Sequence, residues 1–399
     1  MLQPDKTSGD WGMLKTAVVM GTRPEAIKLA PLIARLRRTP TMAVAVIDTG
    51  QQPAAFNATA ATFALNADHA LNVQRAEQTL ADLTADLLAA LETTLKELSP
   101  DLVIVQGDTQ SALTGAIAAA RLHIPIAHVE AGLRTGNLDA PFPEEINRRV
   151  IAGLAALHFA PTPWARGNLL REGIPSQTIA VTGNPIIDSL EACLNDIAPI
   201  CKQDGWRRVL VTCHRRESWN GALSGIAAAV RRLADRQADV MVTVILPIAP
   251  TPRRVLERLL KNHPRIRFAT PLAYPMFLQE LLAADLVISD SGGILEEAAT
   301  LGISTAIIRD QVDRPEALEL PWIRLAGTEE KAIIAAAETL LHLGRHDVDL
   351  CAGPFGDGKA AKRIVKAILR WRRGGAPLLS WRDEFHPPNQ TASRHGRAV

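Results

Sequence analysis

The chain has 399 residues, 47% of them hydrophobic and 22% charged, which is ordinary globular composition and too apolar for a disordered chain. Forty-four Lys+Arg against 42 Asp+Glu leave a formal charge of +2, so bulk charge gives no reason to expect a nucleic acid or an anionic membrane as partner. No run approaches the roughly 18 apolar residues of a membrane span, no basic-then-apolar leader opens the chain, and Cys193, Cys201, Cys213 and Cys351 lack CxxC spacing, so they read as thiols of a reducing, cytoplasmic protein.

Residues 1–13 read as a flexible N-terminus. From there, β-branched apolar runs alternate with Ala/Leu-rich helical stretches. The first half predicts a strand over 16–20, helices over 25–37 and 80–98, a strand over 102–106, a helix over 111–122 and a strand over 126–129. The second half predicts strands over 209–212, 242–246, 286–289 and 305–308 among helices over 223–236, 253–261 and 295–301. Continuous apolar strands alternating with helices mean parallel sheets covered on both faces. Seven or more such units exceed one sheet, so the expected fold is α/β with two doubly wound domains. The first spans 14–184, ending at the Gly183-Asn184-Pro185 turn, and the second spans 185–358. A helix over 359–373 follows. Residues 374–399, broken by Pro, Gly and Ser and without periodicity, are expected to be a disordered tail.

Ligands of open parallel sheets bind beyond the carboxyl ends of the strands, and here strand after strand ends in a small or reactive residue. The first runs into Gly21-Thr22-Arg23-Pro24-Glu25, a capping box with Pro in the first turn. Arg23 and Lys28 oppose the macrodipole of that helix, a conflict that a bound anion would resolve; as solvated surface cations they would cost a few tenths of a kcal/mol. Asp108, Glu130 and Glu144 are the acid/base candidates, because carboxylates sharing a site drive their pKa values apart. Asp108 also reads as a helix cap, and Glu144-Glu145 as a solvated pair. His214, followed by Arg215, could hold a phosphate or shuttle a proton. Ser291-Gly292-Gly293 joins a strand to a helix and would let backbone N–H groups approach a phosphate, with Glu296 one turn on to accept from ribose hydroxyls. No His/Cys metal spacing is present. Gly353-Pro-Phe-Gly-Asp-Gly358-Lys359-Ala360 nearly spells a P-loop, but it ends in Ala and follows no strand. GxGxxG and GxSxG are absent. Reactive residues from both halves suggest one cleft between two domains.

Taken in order, Gly21-Thr-Arg-Pro-Glu-Ala-Ile-Lys28, Gly107-Asp-Thr109, His128-Val-Glu-Ala-Gly-Leu-Arg-Thr135, Phe142-Pro-Glu-Glu-Ile-Asn-Arg148, Val181-Thr-Gly-Asn184, His214-Arg-Arg-Glu217, Ser289-Asp-Ser-Gly-Gly-Ile294, Arg314-Pro-Glu-Ala317 and Phe355-Gly-Asp-Gly-Lys-Ala360 resemble the non-hydrolysing UDP-N-acetylglucosamine 2-epimerases from about residue 14 to 372. The resemblance implies a GT-B-like pair of Rossmann-type domains, a C-terminal helix that returns to the first domain, a homodimer, a UDP-sugar substrate and no external cofactor or metal. It implies conversion of UDP-GlcNAc to UDP-ManNAc through UDP elimination to a 2-acetamidoglucal and re-addition. By motif, Asp108, Glu130 and Glu144 match the acid/base carboxylates, and His214 a group assisting at the diphosphate or the leaving oxygen. Arg23 and Ser291 match diphosphate contacts, Gly292 and Gly293 substrate-binding positions beside them, and Glu296 the ribose-binding acid. Lys28, Arg148, Arg215 and Arg314 match further substrate-binding positions. Gln52 and Ala249 stand where the family carries histidines of a region that binds an activating second UDP-sugar in bacterial members, so this activation is expected to be absent or altered. A hydrolysing relative that releases free UDP is the nearest alternative, followed by an epimerase of a modified hexosamine and a GT-B glycosyltransferase.

Overall fold

A computed structural model describes residues 12–71, 73, 79–197, 205–213, 221–350 and 353–388, with side chains undescribed at 54–58. It divides into two units. Unit 1 holds the chain up to Ser189 together with Gly356–His386, and unit 2 holds Leu190–Phe355.

In unit 1 the described residues form a seven-stranded parallel sheet. Its strands are β1 (Leu14–Met20), β2 (Met42–Asp48), β3 (His69–Ala70), β4 (Leu102–Gln106), β5 (Ile126–Val129), β6 (Leu157–Ala160) and β7 (Ile179–Val181), in the order β3-β2-β1-β4-β5-β6-β7. Strand β4, Leu-Val-Ile-Val-Gln, is buried along its whole length, as expected for a strand covered on both faces. Helices α1 (Arg23–Arg37), α2 (Pro53–Thr62), α3 (Leu80–Leu98), α4 (Gln110–Arg121), α5 (Glu144–Leu154) and α6 (Pro163–Arg171) connect the strands. Gly115 lets α4 approach the sheet, because a Cβ there would sit 3.1 Å from Val19 and 3.3 Å from Val105.

The chain leaves unit 1 along α7 (Pro185–Leu194). Unit 2 carries β8 (Arg207–Thr212), β9 (Val240–Ile245), β10 (Ile266–Ala269), β11 (Leu286–Ser289), β12 (Ser304–Ile307) and β13 (Ile323–Leu325), a parallel sheet in the order β10-β9-β8-β11-β12-β13. Around it lie α8 (Ala222–Arg236), α9 (Pro250–Leu260), α10 (Tyr274–Ala283), α11 (Gly292–Thr300) and α12 (Glu330–Leu343). Each sheet reverses its strand order once, between β1 and β4 and between β8 and β11. Those are the topological switch points at which open α/β sheets bind ligands.

The last helix, α13 (Ala360–Arg372), belongs to unit 1. Its buried Ile364, Val365 and Ile368 join the core built on Leu29, Leu32 and Leu36 of α1. The Asp188 carboxylate accepts from the N–H groups of Ala360 (3.1 Å) and Ala361 (2.9 Å). A protein carboxylate thus occupies the helix terminus where a true P-loop would hold phosphate.

Residues 374–388 depart from the expected disordered tail. Leu378, Leu379 and Phe385 are each 2% exposed, and the two leucines join the core beside α13. Glu384 pairs with Arg166 at 2.9 Å, and Phe385 N–H donates to Val181 O, 2.9 Å, on edge strand β7. The segment is held by single anchors at irregular spacing, so no helical or strand period announces it. Residues 1–11 and 389–399 lie outside the described residues.

Candidate active site

The unit 1 site forms beyond the carboxyl ends of β1, β4 and β5. Strand β1 gives way to Gly21, where a Cβ would collide with Thr49 and Ser111, and the chain turns into α1 at Arg23. Arg23 is half-buried in the first turn. The Glu25 side chain folds back on this turn. Its Oε2 accepts from Gly21 N (3.1 Å), Thr22 N (2.8 Å) and Thr22 Oγ1 (2.7 Å), while Oε1 accepts from Thr109 Oγ1 at 2.6 Å. Burial outweighs these four donors and pushes the Glu25 carboxyl up to about 7.

Lys28, one turn further and 6% exposed, is no solvated surface cation. Its Nζ lies 2.7 Å from both carboxylate oxygens of Glu130. The anion that resolves its conflict with the helix dipole is a protein side chain. Glu130 follows β5 with φ +64°, a left-handed backbone unusual for a residue other than glycine. Gln106 Nε2 also donates to Glu130 Oε2, and Asn184 Nδ2 donates to Oε1 at 2.8 Å.

Asp108 is not the cap of α4. Thr109 is, its Oγ1 accepting from Ala112 N at 3.0 Å. That leaves the Asp108 carboxylate for Arg148, whose Nε donates to Oδ2 at 2.9 Å and whose Nη2 donates to the same oxygen. Asn147 Nδ2 donates to the Asp108 carbonyl at 2.9 Å. Glu144 opens α5, and its i,i+4 spacing to Arg148 puts both on one helix face. Its neighbour Glu145 is fully buried, accepts from Thr135 N at 3.0 Å and pairs with Arg149 at 3.2 Å. The reading of Glu144-Glu145 as a solvated pair therefore fails at Glu145, which braces the loop before α5.

Beneath these groups His128 is buried, its Nε2 2.8 Å from Gly107 O. Burial holds its pKa down at about 3, so the ring is neutral at neutral pH. A carbonyl can only accept, so the ring proton sits on Nε2. The imidazole thereby fixes the carbonyl just before Asp108.

In unit 2, Ser291 caps α11, with Ile294 N 3.5 Å from its Oγ. A Cβ at Gly292 would strike the Arg314 guanidinium, whereas one at Gly293 would meet open space. The backbone of that first turn is thus approachable by an anion. Glu296 is fully buried, and Arg314 Nε donates to its Oε1 at 2.5 Å. Arg314 Nη1 also reaches Asp313 Oδ1, 2.9 Å. Arg314 therefore orients Glu296, beyond the substrate contact expected of each. His214 and Arg215 lie outside the described residues. Among the described residues no His/Cys/Asp/Glu group is arranged to hold a metal, and no helix is long and apolar enough to cross a membrane.

The structure thus gathers Lys28 with Glu130, and Asp108 with Arg148, in unit 1, and Ser291, Gly292, Glu296 and Arg314 in unit 2. Sequence reasoning missed Glu25, Gln106, His128, Asn147, Asn184 and Asp313 as members of these clusters. Gln106 carried a signal as a polar residue closing an otherwise apolar strand, and Glu25 carried one as the far member of the capping box.

Residues 34–369 match the family model described as UDP-N-acetylglucosamine 2-epimerase. The chain belongs to that family. It is 37% identical to the UDP-N-acetylglucosamine 2-epimerase of Bacillus subtilis over 361 residues, 89% of this chain and 95% of the relative. Among solved structures, the Neisseria meningitidis UDP-GlcNAc 2-epimerase bound to UDP-GlcNAc superposes with a TM-score of 0.84 at 33% identity, covering 90% of this chain and all (100%) of that one. MurG of Acinetobacter baumannii, TM-score 0.50 and 13% identical over 90% of this chain and 99% of that one, shares the fold alone. The α/β, GT-B-like class of this family member follows from both likenesses. In it Gln52 precedes α2 and Ala249 precedes α9, as their N-cap residues.

Proposed function

We propose that the chain interconverts UDP-GlcNAc and UDP-ManNAc without net hydrolysis. A carboxylate of unit 1 removes the C2 proton as the C1–O bond breaks. UDP departs and leaves the 2-acetamidoglucal. UDP then re-adds at C1 while a carboxylic acid returns a proton to the opposite face of C2. The observation that carries this reading is the pair of anchored carboxylates at one switch point, Asp108 on Arg148 and Glu130 on Lys28. The C2 hydrogen is weakly acidic, so deprotonation needs a base fixed in place. Departing UDP needs charge stabilisation, and within unit 1 the half-buried Arg23 in the first turn of α1 is a cation that would contribute to it. Family membership and the UDP-GlcNAc bound to the Neisseria relative support the substrate. The working form we infer is a cytoplasmic homodimer. Support comes from Phe142, Ile146, Val150 and Leu154, which stand 50%, 38%, 41% and 39% exposed at four-residue intervals along α5 and its approach, one helix face left apolar.

The decisive experiment is incubation with UDP-GlcNAc in D₂O. Deuterium is expected at C2 of both UDP-GlcNAc and UDP-ManNAc, with no free UDP accumulating. Accumulation of UDP and free ManNAc makes the enzyme hydrolysing. UDP binding without C2 exchange overturns the reading altogether.

A further inference from the structure

We propose that Asn184 and Gln106 are positioning residues for Glu130, two amides that set the direction in which its carboxylate faces C2; the proposal rests on the epimerase reading above. Glu130 is 6% exposed and sits at φ +64°, a strained conformation that persists only where its surroundings hold it. Lys28 supplies the charge, with Nζ 2.7 Å from both oxygens. An ammonium is a compact point charge with rotatable donors on a flexible stem. It draws the carboxylate toward α1 and leaves its plane free to turn.

The two amides remove that freedom. Asn184 Nδ2 donates to Oε1 at 2.8 Å, and Gln106 Nε2 donates to Oε2. The Asn184 amide is itself fixed, because its Oδ1 accepts from Ile186 N at 3.2 Å and so turns the NH₂ toward Glu130. Gln106 closes β4, hydrogen-bonded into the sheet beside β5, and Asn184 precedes α7. Both are buried, 2% and 0% exposed. Each oxygen of Glu130 thus carries one amide donor of unit 1, one from the end of β4 and one from the buried turn before α7. Displacing a reacting group by about 1 Å can cost 10²-fold in rate, so the orientation of this carboxylate belongs to turnover and not to nucleotide binding.

The test compares wild type with Asn184→Ala and Gln106→Met, each of which deletes one amide donor and keeps the Lys28–Glu130 pair. Three quantities are read: the kcat of C2 solvent-deuterium exchange, the Kd of UDP by calorimetry, and the isotope effect on kcat with C2-deuterated UDP-GlcNAc. Both variants are expected to lose about 10- to 100-fold in kcat, to bind UDP as wild type does, and to show an enlarged isotope effect as proton transfer becomes rate-limiting. Unchanged kcat in both overturns the proposal. So does a loss in which UDP affinity and melting temperature fall in step while the isotope effect stays put. If one variant does not fold, the other decides. A wild type that shows no exchange refutes the epimerase reading itself, an outcome separate from failure in the variants.

Discussion

At the scale of single residues, the candidate site holds two carboxylates each tied to a cation that fixes its place. Asp108 and Glu130 are anchored by Arg148 and Lys28, and Glu144 shares a helix face with Arg148. Removing an acid/base group costs on the order of 10²–10⁴ in rate. Asp108→Asn, Glu130→Gln and Glu144→Gln are each expected to cut C2 exchange by such a factor and leave UDP affinity nearly intact. Calorimetry alongside exchange kinetics checks this, and full turnover in all three variants would contradict it. Glu25 makes a different prediction. Its carboxyl is raised from 4.5 to about 7 in the folded chain, so the folded state holds a proton that the unfolded state releases first. The stabilisation from that proton is complete below about pH 4.5 and disappears as pH climbs through 7. At 1.36 kcal/mol per unit this amounts to about 3 kcal/mol. Glu25→Gln cannot titrate, so its urea midpoint should fall less between pH 5 and 7.5 than that of wild type. Equal falls would refute it.

At the scale of elements, the sequence announced what periodicity and strand ends can carry. Apolar runs such as Leu-Val-Ile-Val in β4 and the residues that follow them, Asp108 and Glu130, were legible because apolar strands and the polar residues at their ends differ in composition. The partners of those residues were not. Gln106 and Asn184 come from β4 and from the turn before α7, 78 residues apart in number (184 − 106), and only the sheet order brings both to Glu130. Glu144 and Glu145 look alike as letters, and only the turn of α5 buries the second. The segment over 374–388 was illegible for a related reason, since its anchors are tertiary. Truncating a buried large side chain costs about 2–5 kcal/mol, so Leu379→Ala and Phe385→Ala should each lower the urea midpoint by a matching amount. A midpoint equal to wild type in both would show that the segment does not cover the core as described.

At the scale of the whole molecule, two sheets with one order reversal each present candidate residues at or next to the reversal: Asp108 after β4 and Glu130 after the adjoining β5 in unit 1, and Ser291 after β11 in unit 2. The same device thus recurs in both units, with anchored carboxylates beyond the strands of one and a glycine-opened helix turn beyond those of the other. Helix α5 has a double duty, because Glu144 and Arg148 occupy one face while Ile146, Val150 and Leu154 leave another apolar and exposed. Val150→Glu should weaken self-association of the chain, as read by sedimentation velocity. A wild type that sediments as a monomer at micromolar concentration, or a variant indistinguishable from a dimeric wild type, would remove that face from the interface.

Unit 1 is assembled from two stretches of chain separated by the whole of unit 2, since α13 and the anchors Leu378 and Leu379 complete its core. A ribosome therefore finishes the second unit before the first can close. Throughout that interval Leu29, Leu32 and Leu36 lack their final cover in the nascent polypeptide, and the half emitted earliest is the last to mature.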